Sequence, residues 1–144
     1  MSALFRRPLM AALACVTILS AAAPAAADTI NLKADLKAAN EVPPNDSRGT
    51  GTVTATYDTA TKTLTWKGSY ANLSGPAVAA HFHAGEPGKN GGVQIPIPGA
   101  GSSPFEGTAT LTDSQASDLL AGRLYVNIHT AAHTAGEIRG QVEK

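Results

Sequence analysis

Sulfur is nearly absent from this chain. Of 144 residues it has one cysteine and two methionines, and Cys15, Met1 and Met10 all fall within the first fifteen positions. The rest of the chain can form no disulfide and offers no soft thiolate or thioether to a metal. Charge is also sparse, with eleven basic residues balanced by eleven acidic ones and no run of either sign. Without a basic patch, nucleic-acid binding has no electrostatic footing. Long apolar runs are missing too: the longest, Leu9 to Leu19, is too short for a comfortable membrane span.

That apolar run has a different use. Arg6 and Arg7 precede it, and Ala25-Ala26-Ala27 follows it with small residues before Asp28. This is the layout of a secretory signal peptide over residues 1–27, cleaved after Ala27. A twin-arginine reading fits poorly, with Phe5 and Pro8 flanking the pair, and a lipoprotein box ending at Cys15 is opposed by the apolar residues beyond it. The expected product is residues 28–144, periplasmic or secreted, with no membrane span. Losing Arg6 and Arg7 leaves nine basic against eleven acidic residues, a net charge of −2. Its length suits one domain with one core.

What remains is a succession of short alternating runs separated by Gly, Pro, Asn and Asp. Thr29–Leu36, Gly51–Tyr57, Thr63–Tyr70, Val78–His83, Val93–Ile97, Glu106–Leu111, Leu124–Thr130 and Glu137–Val142 each place apolar residues at every second position. Period two at such spacing predicts an all-β, antiparallel Greek-key sandwich or barrel of about eight strands. Asp58–Lys62 reads as a hairpin loop, and Trp66, Tyr57 and Phe105 as core. One short helix is expected, opened by the capping box Thr112-Asp113-Ser114-Gln115 and stopped at Gly122.

The four histidines fall in two short segments. Side chains alternate along a strand, so in Val78–His83 the apolar Val78, Ala80 and Phe82 take the core, and His81 and His83 face away. In Leu124–His129, Tyr125, Asn127 and His129 share that outward face. Two side chains at i and i+2 stand about 6.6 Å apart along a strand. Leaning together, His81 and His83 can share an ion with a third imidazole, His129, and with His133 from the loop Thr130–Gly136 as a fourth ligand. Imidazole without sulfur suits Cu(II) or Zn(II), with copper favoured. The plainer reading is that these are ordinary polar positions on an exposed sheet face, with His133 a solvent-facing loop residue. Glu137 and Arg139 read as a same-face ion pair, and Asn127 or Glu137 as groups that orient a ring nitrogen.

The blocks Ala39-Asn40-Glu41-Val42-Pro43-Pro44, Leu73-Ser74-Gly75-Pro76, His81-Phe82-His83, Leu119-Leu120-Ala121-Gly122, Leu124–Thr130 and Gly136–Gln141 together resemble the CHRD domain, the module named after chordin. The resemblance implies a secreted or periplasmic β-rich domain, mostly without assigned activity. By analogy with chordin it also implies an envelope or extracellular protein partner. The His-x-His strand is similar to the copper half of copper-zinc superoxide dismutase, though the zinc loop and cysteines of that family have no counterpart here.

Two functional classes follow. One is an exported metal-site protein for metal handling or superoxide dismutation. The other is a non-enzymatic protein- or glycan-binding module that uses the loops Gly85–Gly92 and Pro98–Pro104. A serine hydrolase has no nucleophile elbow to support it.

Overall fold

The computed structural model describes residues 27–144, so the expected signal peptide, Ala27 apart, lies outside the described residues. Eight strands form: β1 (Thr29–Lys37), β2 (Thr50–Asp58), β3 (Thr63–Ala71), β4 (Ala77–Ala84), β5 (Val93–Pro96), β6 (Phe105–Thr110), β7 (Leu124–Thr130) and β8 (Ile138–Gln141). Each lies within a residue or two of an alternating run in the sequence. They join in one antiparallel sheet of order β5-β4-β7-β8-β1-β2-β3-β6, which curls into a nearly closed barrel rather than two separate layers.

The curl is visible in the core. Trp66 on β3 meets Phe82 on β4 edge-on, with ring centroids 5.2 Å apart, although four strands separate β3 from β4 in the sheet. Both rings are essentially inaccessible to solvent, as are Leu64, Leu124, Val126, Ile128 and Ile138 around them. Truncating Phe82 to alanine would cost about 3–5 kcal/mol by the usual scale for a buried aromatic. Tyr57 and Phe105 are buried as expected.

Helix α1 (Asp113–Leu120) lies at the gap between the two sheet edges. Its capping box is complete: Thr112 Oγ1 accepts from the Gln115 amide, and Gln115 Oε1 accepts from the Thr112 amide. Asp113 in the first turn favours the positive end of the helix dipole. Directly after β6, the helix reaches β5 through Gln115 Nε2, which donates to the carbonyl of Gln94 at 3.0 Å. Gly122, at φ 69°, ends the turn.

One inward assignment is corrected. Val78 is 63% exposed, because a bulge between Ala77 and Ala79 inserts an extra residue into the β4–β7 pairing. A single inserted residue inverts parity, and buried Ala77 takes the core position instead.

Candidate metal centre

The outward face of β4, β7 and β8 carries the histidines, and register decides which of them meet. His83 lies opposite Tyr125, His81 opposite Asn127, and Ala79 opposite His129. His129 is therefore diagonal to His81, within reach of a ring. One potential ligand atom from each of His81, His83 and His129 lies within 4.8 Å of the other two. Ring centroids stand 5.5 Å apart for His81–His83, 5.2 Å for His81–His129 and 6.1 Å for His83–His129. His133 does not belong to this cluster. It is half-buried in the β7–β8 turn, where its backbone exchanges bonds with Thr130.

This outward face is not a solvated one. His83, Asn127, His129, Arg139 and Tyr125 are all buried, and only His81 is half-exposed. The β4–β5 loop folds back over the face, and Arg139 holds it there. The guanidinium donates to Asn90 Oδ1 and to the carbonyls of Glu86 and Lys89 at 2.7–3.2 Å. It also lies 3.5 Å from the centre of the Tyr125 ring. Tyr125 in turn stacks on His83, with centroids 5.0 Å apart and planes 8° from parallel. Arg139, Tyr125 and His83 thus form one continuous stack. Arg139 makes no ion pair with Glu137, contrary to the sequence expectation. Glu137 instead accepts from Ser47, Ser74 and Thr130.

The tautomers follow from the backbone. A carbonyl can only accept, so His83 Nδ1 donates to Gly91 O at 3.0 Å, and His129 Nδ1 donates to Thr134 O at 3.0 Å. Each neutral ring then keeps its lone pair on Nε2, the arrangement by which backbone carbonyls commonly fix metal-binding imidazoles. Of the expected orienting groups, Glu137 is engaged by Ser47, Ser74 and Thr130 instead, while Asn127 neighbours the His83 ring. The Gly91 carbonyl can approach His83 because the residue is glycine: a Cβ there would fall onto the carbonyl of Ala84.

His81 Nδ1 completes the set, 3.3 Å from His129 Nε2. Two nitrogens bound at 2.0–2.1 Å to one tetrahedral ion lie about 3.3 Å apart. Burial, then repulsion from its neighbouring histidines, holds the His81 pKa below the usual value. His83 is depressed chiefly by burial, opposed in part by its bond to Gly91. Both rings are therefore neutral at pH 7, which is the form that ligates.

Four buried side-chain polar atoms among the described residues have no hydrogen-bond partner: His83 Nε2, Asn127 Oδ1, Glu41 Oε1 and Trp66 Nε1. Such atoms usually carry a desolvation cost of about 1–3 kcal/mol each. Glu41 is buried enough that its carboxyl is raised to about 7, despite the nearby Arg139 charge and a bond from the Val42 amide. With Arg139 it also lines a cleft of about 680 Å³, a cleft that none of the three histidines touches.

Three histidines on a covered sheet face, two with tautomers fixed by carbonyls, are able to hold a metal ion. No described helix is long and apolar enough to cross a membrane. No curated protein and no solved structure matches the chain. The CHRD domain family model matches residues 32–142, from β1 to just past the end of β8 and through all three histidines, and the chain belongs to the CHRD domain family.

Proposed function

We propose that this CHRD domain binds one divalent transition-metal ion through His81, His83 and His129, and that copper is its metal. The supporting observation is that Gly91 and Thr134 leave the Nε2 atoms of His83 and His129 as acceptors within one three-histidine cluster, the first unpartnered and the second 3.3 Å from His81 Nδ1. For a given set of nitrogen ligands Cu(II) binds more tightly than Zn(II). The absence of sulfur in residues 28–144 argues against a Cu(I) carrier. Residues 1–27 serve as an export signal, so the metal is met in the periplasm or outside the cell.

Three protein nitrogens leave coordination positions for an exchangeable ligand, and half-exposed His81 marks the side from which one would enter. Bound copper would supply one-electron chemistry there, and superoxide is the substrate class to try first. The rival reading is a docking module built on the Gly85–Gly92 and Pro98–Pro104 loops. In the first of these, the carbonyls of Glu86, Lys89 and Gly91 and the Gly91 amide are already bonded to Arg139, Tyr125 and His83 of the same domain.

The test is titration of metal-free residues 28–144 with Cu(II) and Zn(II), beside a His81→Ala, His83→Ala double variant. Binding of one equivalent, copper ahead of zinc and lost in the variant, is expected. Equal affinity of the two proteins would remove the proposal. Superoxide consumption by the copper-loaded domain, measured against free copper, separates a catalyst from a carrier.

A further inference from the structure

Three of the four unpartnered buried polar atoms belong to one neighbourhood, and the histidines explain only one of them. Asn127 lies directly opposite His81 across the β4–β7 pair and two residues from His129 on its own strand. It is 2% exposed. Its Nδ2 donates to the Ala135 carbonyl at 3.3 Å. A Cβ at Gly136 would collide with Asn127 Nδ2 and with Glu41 Oε1 alike, so these two atoms flank one point. The carboxamide is therefore held by its nitrogen end, through the Ala135 carbonyl. Its oxygen is turned the other way, buried and without a donor. His83 is diagonal to Asn127 across the same strand pair, its Nε2 is equally unmatched, and the Asn127 side chain is close enough to interact with its ring.

Two acceptor atoms, a ring lone pair and a carboxamide oxygen, cannot satisfy each other. A cation between them satisfies both. On the reading that the histidines hold a metal, we infer that Asn127 Oδ1 is a fourth protein ligand, giving a three-nitrogen, one-oxygen site. Mixed nitrogen and oxygen donation suits tetragonal Cu(II), which keeps a position open for an exchangeable ligand. Ala135, Glu41 and Gly136 act as positioning groups. The Ala135 carbonyl anchors the amide nitrogen, and Gly136, at φ 135°, leaves the space beside it that Glu41 also borders.

The experiment uses residues 28–144 labelled with asparagine carrying ¹³C at the side-chain carbonyl, loaded with one equivalent of Cu(II), and examined by electron–nuclear double resonance. A ¹³C coupling is expected in the wild type and its loss in Asn127→Leu, together with a fall in copper affinity of about 10- to 100-fold. Asn127→Asp, which supplies a charged oxygen in the same place, should bind copper more tightly than wild type. No ¹³C coupling in the wild type overturns the inference. So does an Asn127→Leu affinity within twofold of wild type. If Asn127→Leu fails to fold, the wild-type coupling and the Asp variant decide. If the unsubstituted domain binds copper no better than the His81→Ala, His83→Ala variant, the metal reading itself falls. Strong histidine-dependent binding without the ¹³C signal removes only the role of Asn127.

Discussion

Replacing Glu137 by glutamine isolates a buried charge that ties three parts of the chain together. Glu137 is fully buried. Burial alone would raise its pKa, but hydroxyl donors from Ser47, Thr130 and Ser74 and the Ser74 amide more than offset this and bring it to about 2. The bonds are short, 2.5 Å to Ser47 and to Thr130 and 2.7 Å for both Ser74 contacts. A drop from 4.5 to about 2 converts, at 1.36 kcal/mol per pH unit, to about 3 kcal/mol of stability. Because the folded pKa is the lower one, that stability is fully present above pH 4.5. It disappears as pH falls toward about 2. Glutamine keeps the shape, removes the charge and turns a donor toward hydroxyls that need an acceptor. Urea unfolding of the metal-free wild type and Glu137→Gln, at pH values from 7 down to 2.5, should show a gap of about 3 kcal/mol that narrows below pH 4.5. A gap that is small at pH 7, or unchanged at pH 2.5, would refute the assignment of a charged, hydroxyl-clamped carboxylate.

Glu41→Gln should behave oppositely. The carboxyl of Glu41 is raised to about 7, so its ionisation destabilises the fold as pH climbs from 4.5 through 7. The glutamine variant should match wild type at pH 4 and exceed it by about 3 kcal/mol at pH 8 in the same unfolding assay. Copper affinity should hold as pH falls to the ordinary histidine value of about 6.5 and drop only below it, because His81 and His83 protonate less readily than free imidazole. Titrations at pH 7.5, 6.5 and 5.5 would show this, and a steep loss already between the first two would contradict it. Arg139→Lys keeps the charge but cannot reproduce the planar stack on Tyr125 or all the bonds to Asn90, Glu86 and Lys89. It should destabilise the domain by about 2–3 kcal/mol. It should also speed amide exchange in the Gly85–Gly92 loop, which a purely local defect would leave unchanged.

The strands were legible because alternation is a direct record of a sheet with one buried face. Runs such as Val53, Ala55 and Tyr57 against four threonines leave little choice of structure. The helix was legible because its cap is written in side chains, Thr112 and Gln115. Parity also predicted that His81, His83 and His129 share a face, since it needs only the apolar residues between them. It failed at Val78, where one bulged residue changes the count without changing the composition. Alternation does not separate a closed barrel from a sandwich, because it says nothing about strand order.

The burial of the histidine face had no signal in the alternation. It depends on loops folding back, and Arg139 and Tyr125, which read as outward polar positions, are what the Gly85–Gly92 loop packs upon. The groups that set the ring tautomers are carbonyls of Gly91 and Thr134. Every residue has a carbonyl, so no residue type marks them. Gly91 could have drawn attention as a required glycine, and Glu41 as the one ionisable residue in the block Ala38–Pro44.

Metal content of the natively expressed protein bears most directly on the proposed centre. Protein expressed from the complete sequence in its own host and purified without chelator should contain close to one copper per molecule by elemental analysis. The His81→Ala, His83→Ala variant handled identically should contain none. Wild-type protein with no more transition metal than that variant would contradict a histidine metal centre.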